Sequence, residues 1–300
     1  EAKLTYGVLG HGERVDLFEY NDKHGFSRPR REAAMRWMRR WLLGKDDATT
    51  ETDFPIFTDE QLQCTMTGQA LAELKGKSVF DLNAERLQEL NRERSKRPTT
   101  RDRGNLVRSV RSLLALPTEI PAARSRELGT VKREGYTITK LTFETEPGII
   151  IPAVAFSAHE VSSPQGPSVV YLNGNGISTD AQPGGPIEKL SRSGFPVLAL
   201  DLRGMGETAP GKPSPSGRNY FGVDSKEAFL SLQLARPLMG QRVLDVLSIL
   251  NTRDHQPPHG YYLIGVGSTG PIALHAAALE KRITRVEIRD SIASWSEVID

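Results

Sequence analysis

The stretch Tyr261-Tyr262-Leu263-Ile264-Gly265-Val266-Gly267-Ser268-Thr269-Gly270-Pro271-Ile272-Ala273-Leu274-His275-Ala276-Ala277 decides the fold. Its apolar start reads as a buried strand, its glycines as a tight turn, and its alanines as a helix lying close on that strand. Reading outward, residues 168–172 and 196–200 are further short apolar runs, as expected of strands covered on both faces. Helical spacing is present near 187–193 and over 238–250, and 285–288 is a last strand candidate. Residues 136–144 alternate polar and apolar, and 149–156 are β-rich after the turn at Pro147-Gly148, so these two form a hairpin. Strands alternating with helices imply an α/β chain with a doubly wound, mostly parallel sheet.

The front of the chain differs. A strand candidate over 14–19 is followed by a polar loop, 21–27, and by Pro29 opening a helix over 31–43. There Ala34, Met35, Met38, Trp41 and Leu42 recur at helical spacing, with Arg36, Arg39 and Arg40 on the other side. From 45 to 133 the chain is polar and mostly helical by pattern, with a helix start at Thr58-Asp59-Glu60-Gln61 and helices over 84–94 and 106–116. The basic stretch 92–103, containing Pro98, has no interleaved aromatic residue and reads as a solvated linker.

Composition narrows the partners. Thirty-nine Lys and Arg against 37 Asp and Glu leave a formal charge of +2, too small to point to nucleic acid or an anionic membrane. A small, weakly charged substrate fits better. The single cysteine, Cys64, excludes an intrachain disulfide, and no Cys/His cluster has zinc spacing, so neither metal nor cofactor is expected. No run approaches the roughly 18 apolar residues of a membrane span. Glu1-Ala2-Lys3-Leu4 has no initiator Met and no signal-peptide pattern, so the start reads as trimmed.

In this order the elements resemble the α/β-hydrolase fold, and the turn at 265–270 then corresponds to its nucleophile elbow. That elbow needs small residues two before and two after the nucleophile, because its backbones come close together. Two registers are open. With Ser268 as nucleophile, Gly270 fits but Val266 is too large. With Gly265 and Thr269 as the flanking pair, Gly267 falls at the nucleophile position and the following helix keeps its usual phase. The loop Asn173-Gly174-Asn175-Gly176 stands where the fold places part of its oxyanion hole, and is equally consistent with an ordinary turn. Asp201-Leu202-Arg203-Gly204-Met205-Gly206 resembles the D-x-R-G-x-G turn of many such hydrolases, with a bracing role.

A serine nucleophile also needs a base and an acid. Asp290 is the acid in a plausible place after the elbow, though a strand-end carboxylate also accounts for it. His275, His255 and His259 are not where the fold places its base. His24-Gly25-Phe26-Ser27 is: a loop histidine followed by Arg-Pro-Arg-Arg-Glu-Ala-Ala and a helix with Trp37 and Trp41 resembles the catalytic-His loop and last helix of another α/β hydrolase.

Together these segments resemble tandem α/β-hydrolase proteins of the acetyl xylan esterase-like and prolyl-oligopeptidase-type group. The resemblance rests on His24 to Trp41, Thr65-Met66-Thr67-Gly68-Gln69, Asp201 to Gly206, Gly240 to Val246 and Gly270 to Leu279. It implies three parts: residues 1–45, the tail of a first hydrolase unit; 46–133, a helical connector; and 134–300, the incomplete front of a second. It further implies a serine-type carboxylic ester hydrolase acting on a small ester or acylated carbohydrate, usually exported, with His24 and Ser268 as candidate catalytic residues. The first unit's Ser and acid would then lie in a missing portion of the same protein. A non-catalytic binding or scaffolding module with a degenerate elbow is the alternative.

Overall fold

The alternation along each strand becomes two sides of one sheet. Val170, Leu172, Leu200, Tyr261 and Leu263 face one core cluster, while Val169, Tyr171, Val197, Ala199, Tyr262 and Ile264 face the other. Neighbouring residues of a strand point to opposite faces, so runs apolar at every position are the ones covered on both sides. The computed structural model describes residues 1–96, 103–159, 166–210, 219–220, 223–252, 256–292 and 294–298. Pro98 and His255 lie outside them. The chain divides into the units Glu1–Lys77 and Ser78–Asp300.

The first unit contains α1 (Ala2–Val8), α2 (Arg28–Leu43), α3 (Asp59–Leu62) and α4 (Ala70–Leu74). Helix α2 starts at Arg28, three residues before the expected position, because Pro29 fits its first turn, where no N–H is needed. It stops at Gly44, which is left-handed at φ 67°. Its arginines pair with the following acidic segment: Arg36 with Asp46, Arg39 with Asp47 and Arg31 with Glu51. The capping box expected at α3 forms between Thr58 and Gln61. The strand expected over 14–19 does not form. A 3-10 turn covers Gly12–Arg14, and no other strand of this unit is there to pair with it. No side chain in this unit is buried.

In the second unit α5 (Val79–Ser95) and α6 (Arg103–Leu113) precede the strands β1 (Arg124–Arg133), β2 (Tyr136–Glu146), β3 (Ile149–Ala158), β4 (Ser168–Asn173) and β5 (Val197–Leu200). Helix α7 (Pro186–Arg192) joins β4 to β5. A two-residue ribbon, β6 (Asn219–Tyr220) with β7 (Val223–Asp224), leads to α8 (Ser225–Gln233) and α9 (Leu238–Leu250), then β8 (Tyr261–Val266), α10 (Gly270–Leu279) and β9 (Ile283–Arg289). The seven-stranded sheet has the order β1-β2-β3-β5-β4-β8-β9. Strands β5, β4, β8 and β9 are mutually parallel, and β3 runs against β5.

β1 lies in the stretch read as mostly helical. Its side chains are exposed or half-exposed, so its one ordering influence is the ladder to β2. Leu114 and Ala123, from the same stretch, are buried in the core, and the Ala123 N–H donates to the Ser248 carbonyl at 2.9 Å. Ile187 of α7 lies in one core cluster and α9 and α10 in the other, so helices cover both faces. From β4 the chain crosses to β5 on one side and later to β8 on the other. Such a switch opens a crevice at the C-terminal strand ends, where ligands of open α/β sheets sit.

Candidate active site

The turn after β8 occupies that crevice. Val266 is extended (φ −109°, ψ 131°), Gly267 turns left-handed at φ 63°, and Gly267–Thr269 form a 3-10 turn into α10. A Cβ built on Gly265 would lie 2.9 Å from the Thr269 carbonyl oxygen and 3.0 Å from the Ala273 Cβ. Gly265 is therefore small because the helix comes back across the strand. At Gly267 the same construction meets nothing within 4 Å. Gly267 is thus the left-handed tip of the turn, and a side chain there would project into open space. Ser268, the next residue, turns inward instead. A Cβ on Gly174 would overlap its hydroxyl and lie 3.2 Å from its backbone nitrogen. Thr269 fastens the turn to β4, its hydroxyl donating to the Leu172 carbonyl at 3.0 Å.

The loop after β4 approaches Ser268, but its donors are already engaged. The Gly174 N–H donates to the Val266 carbonyl at 3.1 Å and the Gly176 N–H to the Asn173 carbonyl at 3.0 Å. The Asn175 N–H donates to Asn173 Oδ1 at 2.8 Å and the Ile177 N–H to Asp201 Oδ1 at 2.7 Å. An oxyanion hole requires N–H groups aimed at the developing charge. In this conformation all four point at protein acceptors. Asn173 is held by its own amide, which donates to Asp180 Oδ2 at 2.6 Å, and the buried Tyr171 hydroxyl donates to the same oxygen at 2.8 Å. Burial and this bond to Asp180 raise the Tyr171 hydroxyl well above the ordinary tyrosine value.

The loop 201–206 braces the site, as its motif suggests. Asp201, 2% exposed, accepts from the Ile177 N–H and, at 2.9 Å, from the Glu207 N–H. Arg203 binds Asp245 through Nε at 2.7 Å, pairs with Glu146 at 2.8 Å, and donates to Gln241 at 3.0 Å. Thr145 donates to the same Asp245 at 2.6 Å. Arg242 sends Nε to the Arg203 carbonyl at 3.0 Å, and burial pushes its guanidinium down to about 10. Arg203 is thus paired with two carboxylates within the fold.

Of the remaining expected residues, Asp290 is exposed at the end of β9 and left-handed at φ 47°. His275 Nδ1 lies 2.6 Å from the Pro271 carbonyl on its own helix, and His259 is exposed before β8, at the opposite sheet edge from the turn. A cavity of ≈ 330 Å³ lined by Phe156, Val197, Pro257 and Tyr261 is also at that opposite edge. His24 is exposed in the first unit, in the bend before α2. Among the described residues, no group of three or more His, Cys, Asp or Glu could hold a metal, and no helix is long and apolar enough to cross a membrane. Asp180, and its bond to Asn173, were missed by sequence reasoning, since no motif links residues joined only through space.

Sheet order, crossover helices and a glycine-rich turn after β8 make this an α/β fold of the α/β-hydrolase type. No family model matches the chain, and no curated protein matches it in sequence. Solved structures similar to it include a proposed acetyl xylan esterase from Bacteroides fragilis, at 15% identity and TM-score 0.48, over 61% of this chain and 51% of that one. Acetyl xylan esterase from Paenibacillus sp. R4 follows at 17% identity and TM-score 0.43, over 64% and 60%. Acetyl xylan esterase 1 from Thermoanaerobacterium sp. has 18% identity and TM-score 0.41, over 63% and 58%. The matched part thus spans between half and three-fifths of those structures.

Proposed function

We propose that this chain belongs to a serine-type carboxylic ester hydrolase of tandem build, in which His24 is the general base of one unit and the elbow of Ser78–Asp300 is not itself a reacting centre. Gly267 carries this reading: it is the left-handed residue of the turn, the residue whose side chain would face open space, and it has no side chain. The engaged N–H groups from Gly174 to Ile177 support the same conclusion. The second unit then acts as a binding or scaffolding module. In the first, His24 takes the proton of a serine outside residues 1–300 while an acyl group is transferred to it. By the sequence resemblance, the substrate is a small ester or an acylated carbohydrate.

A fluorophosphonate probe tests this, because it bonds only to an activated serine. Peptide mapping is expected to find no adduct in residues 1–300. An adduct on Ser268, abolished by Ser268→Ala, overturns the non-catalytic elbow. It would favour the second reading, in which Ser268 is the nucleophile; that reading draws on the placement of Ser268 in the crevice, directly against Gly174.

A further inference from the structure

Arg30, in the first turn of α2, reaches back over the bend that carries His24. Its Nη1 donates to the Lys23 carbonyl at 3.0 Å and to the Gly25 carbonyl at 2.8 Å, and its Nη2 donates to the Tyr20 carbonyl at 2.8 Å. The two acceptors on Nη1 belong to the residues immediately before and after His24. One nitrogen therefore ties down both neighbours of the histidine, which fixes the direction of its Cα–Cβ bond. Gly25 makes the convergence possible. Its φ of 152° turns its carbonyl onto the same nitrogen as that of Lys23, in a region side chains rarely adopt. Arg31 extends the hold by one residue. It donates to the Phe26 carbonyl at 2.6 Å and is itself gripped by Glu51, at 2.6 Å through Nε and 2.5 Å through Nη2.

We infer that Arg30 is the positioning residue for His24, a guanidinium clamp that holds the backbone from which the imidazole projects before any substrate arrives. A guanidinium suits this role because its donors lie in one rigid plane spread over two nitrogens, whereas the three donors of an ammonium group share one freely rotating nitrogen. Three hydrogen bonds to one exposed bend from one side chain exceed what fastening the start of α2 requires, since Pro29 and Gly44 already define its ends. The catalytic consequence rests on the reading of His24 as general base; the clamp itself does not.

The test uses the chain labelled with ¹³C-histidine. In the parent, His24 is expected to give a single set of ring resonances. In Arg30→Lys and Arg30→Met those resonances shift toward the positions of an unconstrained histidine and their ¹³C relaxation reports a lower order parameter, while Arg36→Lys, on the same helix but bound to Asp46, leaves them as they were. Far-UV circular dichroism verifies that the helix content of the chain persists. His24 resonances unchanged in both Arg30 variants overturn the clamp. Hydrolysis of p-nitrophenyl acetate by the whole protein reads the consequence: Arg30→Lys lowers kcat by about 10- to 100-fold with KM within a factor of about two. If His24→Ala leaves that hydrolysis intact, the base reading falls, and the resonances still decide the clamp.

Discussion

Replacing Gly240 by alanine sets two effects against each other, and the packing decides between them. In an open helix the change stabilises by up to about 1 kcal/mol, because alanine restricts the unfolded chain. Gly240 is buried in the first turn of α9, and a Cβ built there overlaps the Leu114 carbonyl oxygen, 2.7 Å from the carbonyl carbon and 3.1 Å from the Cα. All three are backbone atoms, so no rotamer change relieves the overlap. The end of α6 must retreat by on the order of 1 Å in an interior with few voids to absorb it. Leu114, 6% exposed, then leaves the core cluster it shares with Val243 and Leu247. Partial loss of a leucine's burial costs about 1–2 kcal/mol, and overpacking adds about 1–3 kcal/mol. After subtracting the helix-propensity gain, the expected loss is about 1–4 kcal/mol. With a urea slope of about 2 kcal/mol/M, the midpoint falls by roughly 0.5–2 M. Urea titration followed by circular dichroism measures it, and a midpoint at or above the parent's refutes the close approach of α6 and α9.

Three further perturbations follow from the backbone and the buried charges. Ala115 and Ala235 are exposed and left-handed at φ 51° and 53°, so Ala115→Gly and Ala235→Gly should each stabilise by about 0.5–1 kcal/mol; unchanged urea midpoints in both would contradict the strain. Asp201→Asn turns an amide NH2 toward one of the two N–H donors it serves, at Ile177 and Glu207, and should lose about 1–3 kcal/mol, whereas an unaltered Tm would mean that water replaces the bond. Burial tends to raise the Glu146 carboxyl, but hydrogen bonds from Arg203 and Arg236 outweigh this and hold it below the ordinary value. Its contribution is therefore present above about pH 4.3 and is lost as pH falls through the lower folded value. Glu146→Gln should flatten the fall in Tm on that acid side; an acid limb as steep as the parent's would show that the group carries none of it.

The central sheet was legible because its strands announce themselves twice, as apolar runs and as alternating partners of two cores. Helix α9 begins and ends where helical spacing begins and ends, at Leu238 and Leu250. Strand β1 was hidden because an exposed edge strand needs no apolar face, only a neighbour. The run over 14–19 was over-read for the converse reason: extended propensity without a ladder partner leaves the chain without a strand. At the turn after β8, Gly267 and Ser268 both have glycines nearby, so spacing alone left the register open. The left-handed φ of Gly267 marks it as the tip of the turn, and a backbone angle is written in the sequence only as permission. The grip of Asp180 on Asn173, and that of Arg30 on the bend around His24, depend on atoms distant in sequence or on carbonyls that every residue possesses.

The left-handed turn at Gly267 also bears on what the proposed reading would mean for the stability of the second unit. A serine placed there would carry a conformational cost of about 1–2 kcal/mol, tolerated in an enzyme because the reaction depends on it. Glycine adopts that region without the Cβ clash, at a cost only in backbone entropy. On the proposed reading of a non-catalytic elbow, placing a nucleophile at Gly267 by design would therefore begin from that deficit.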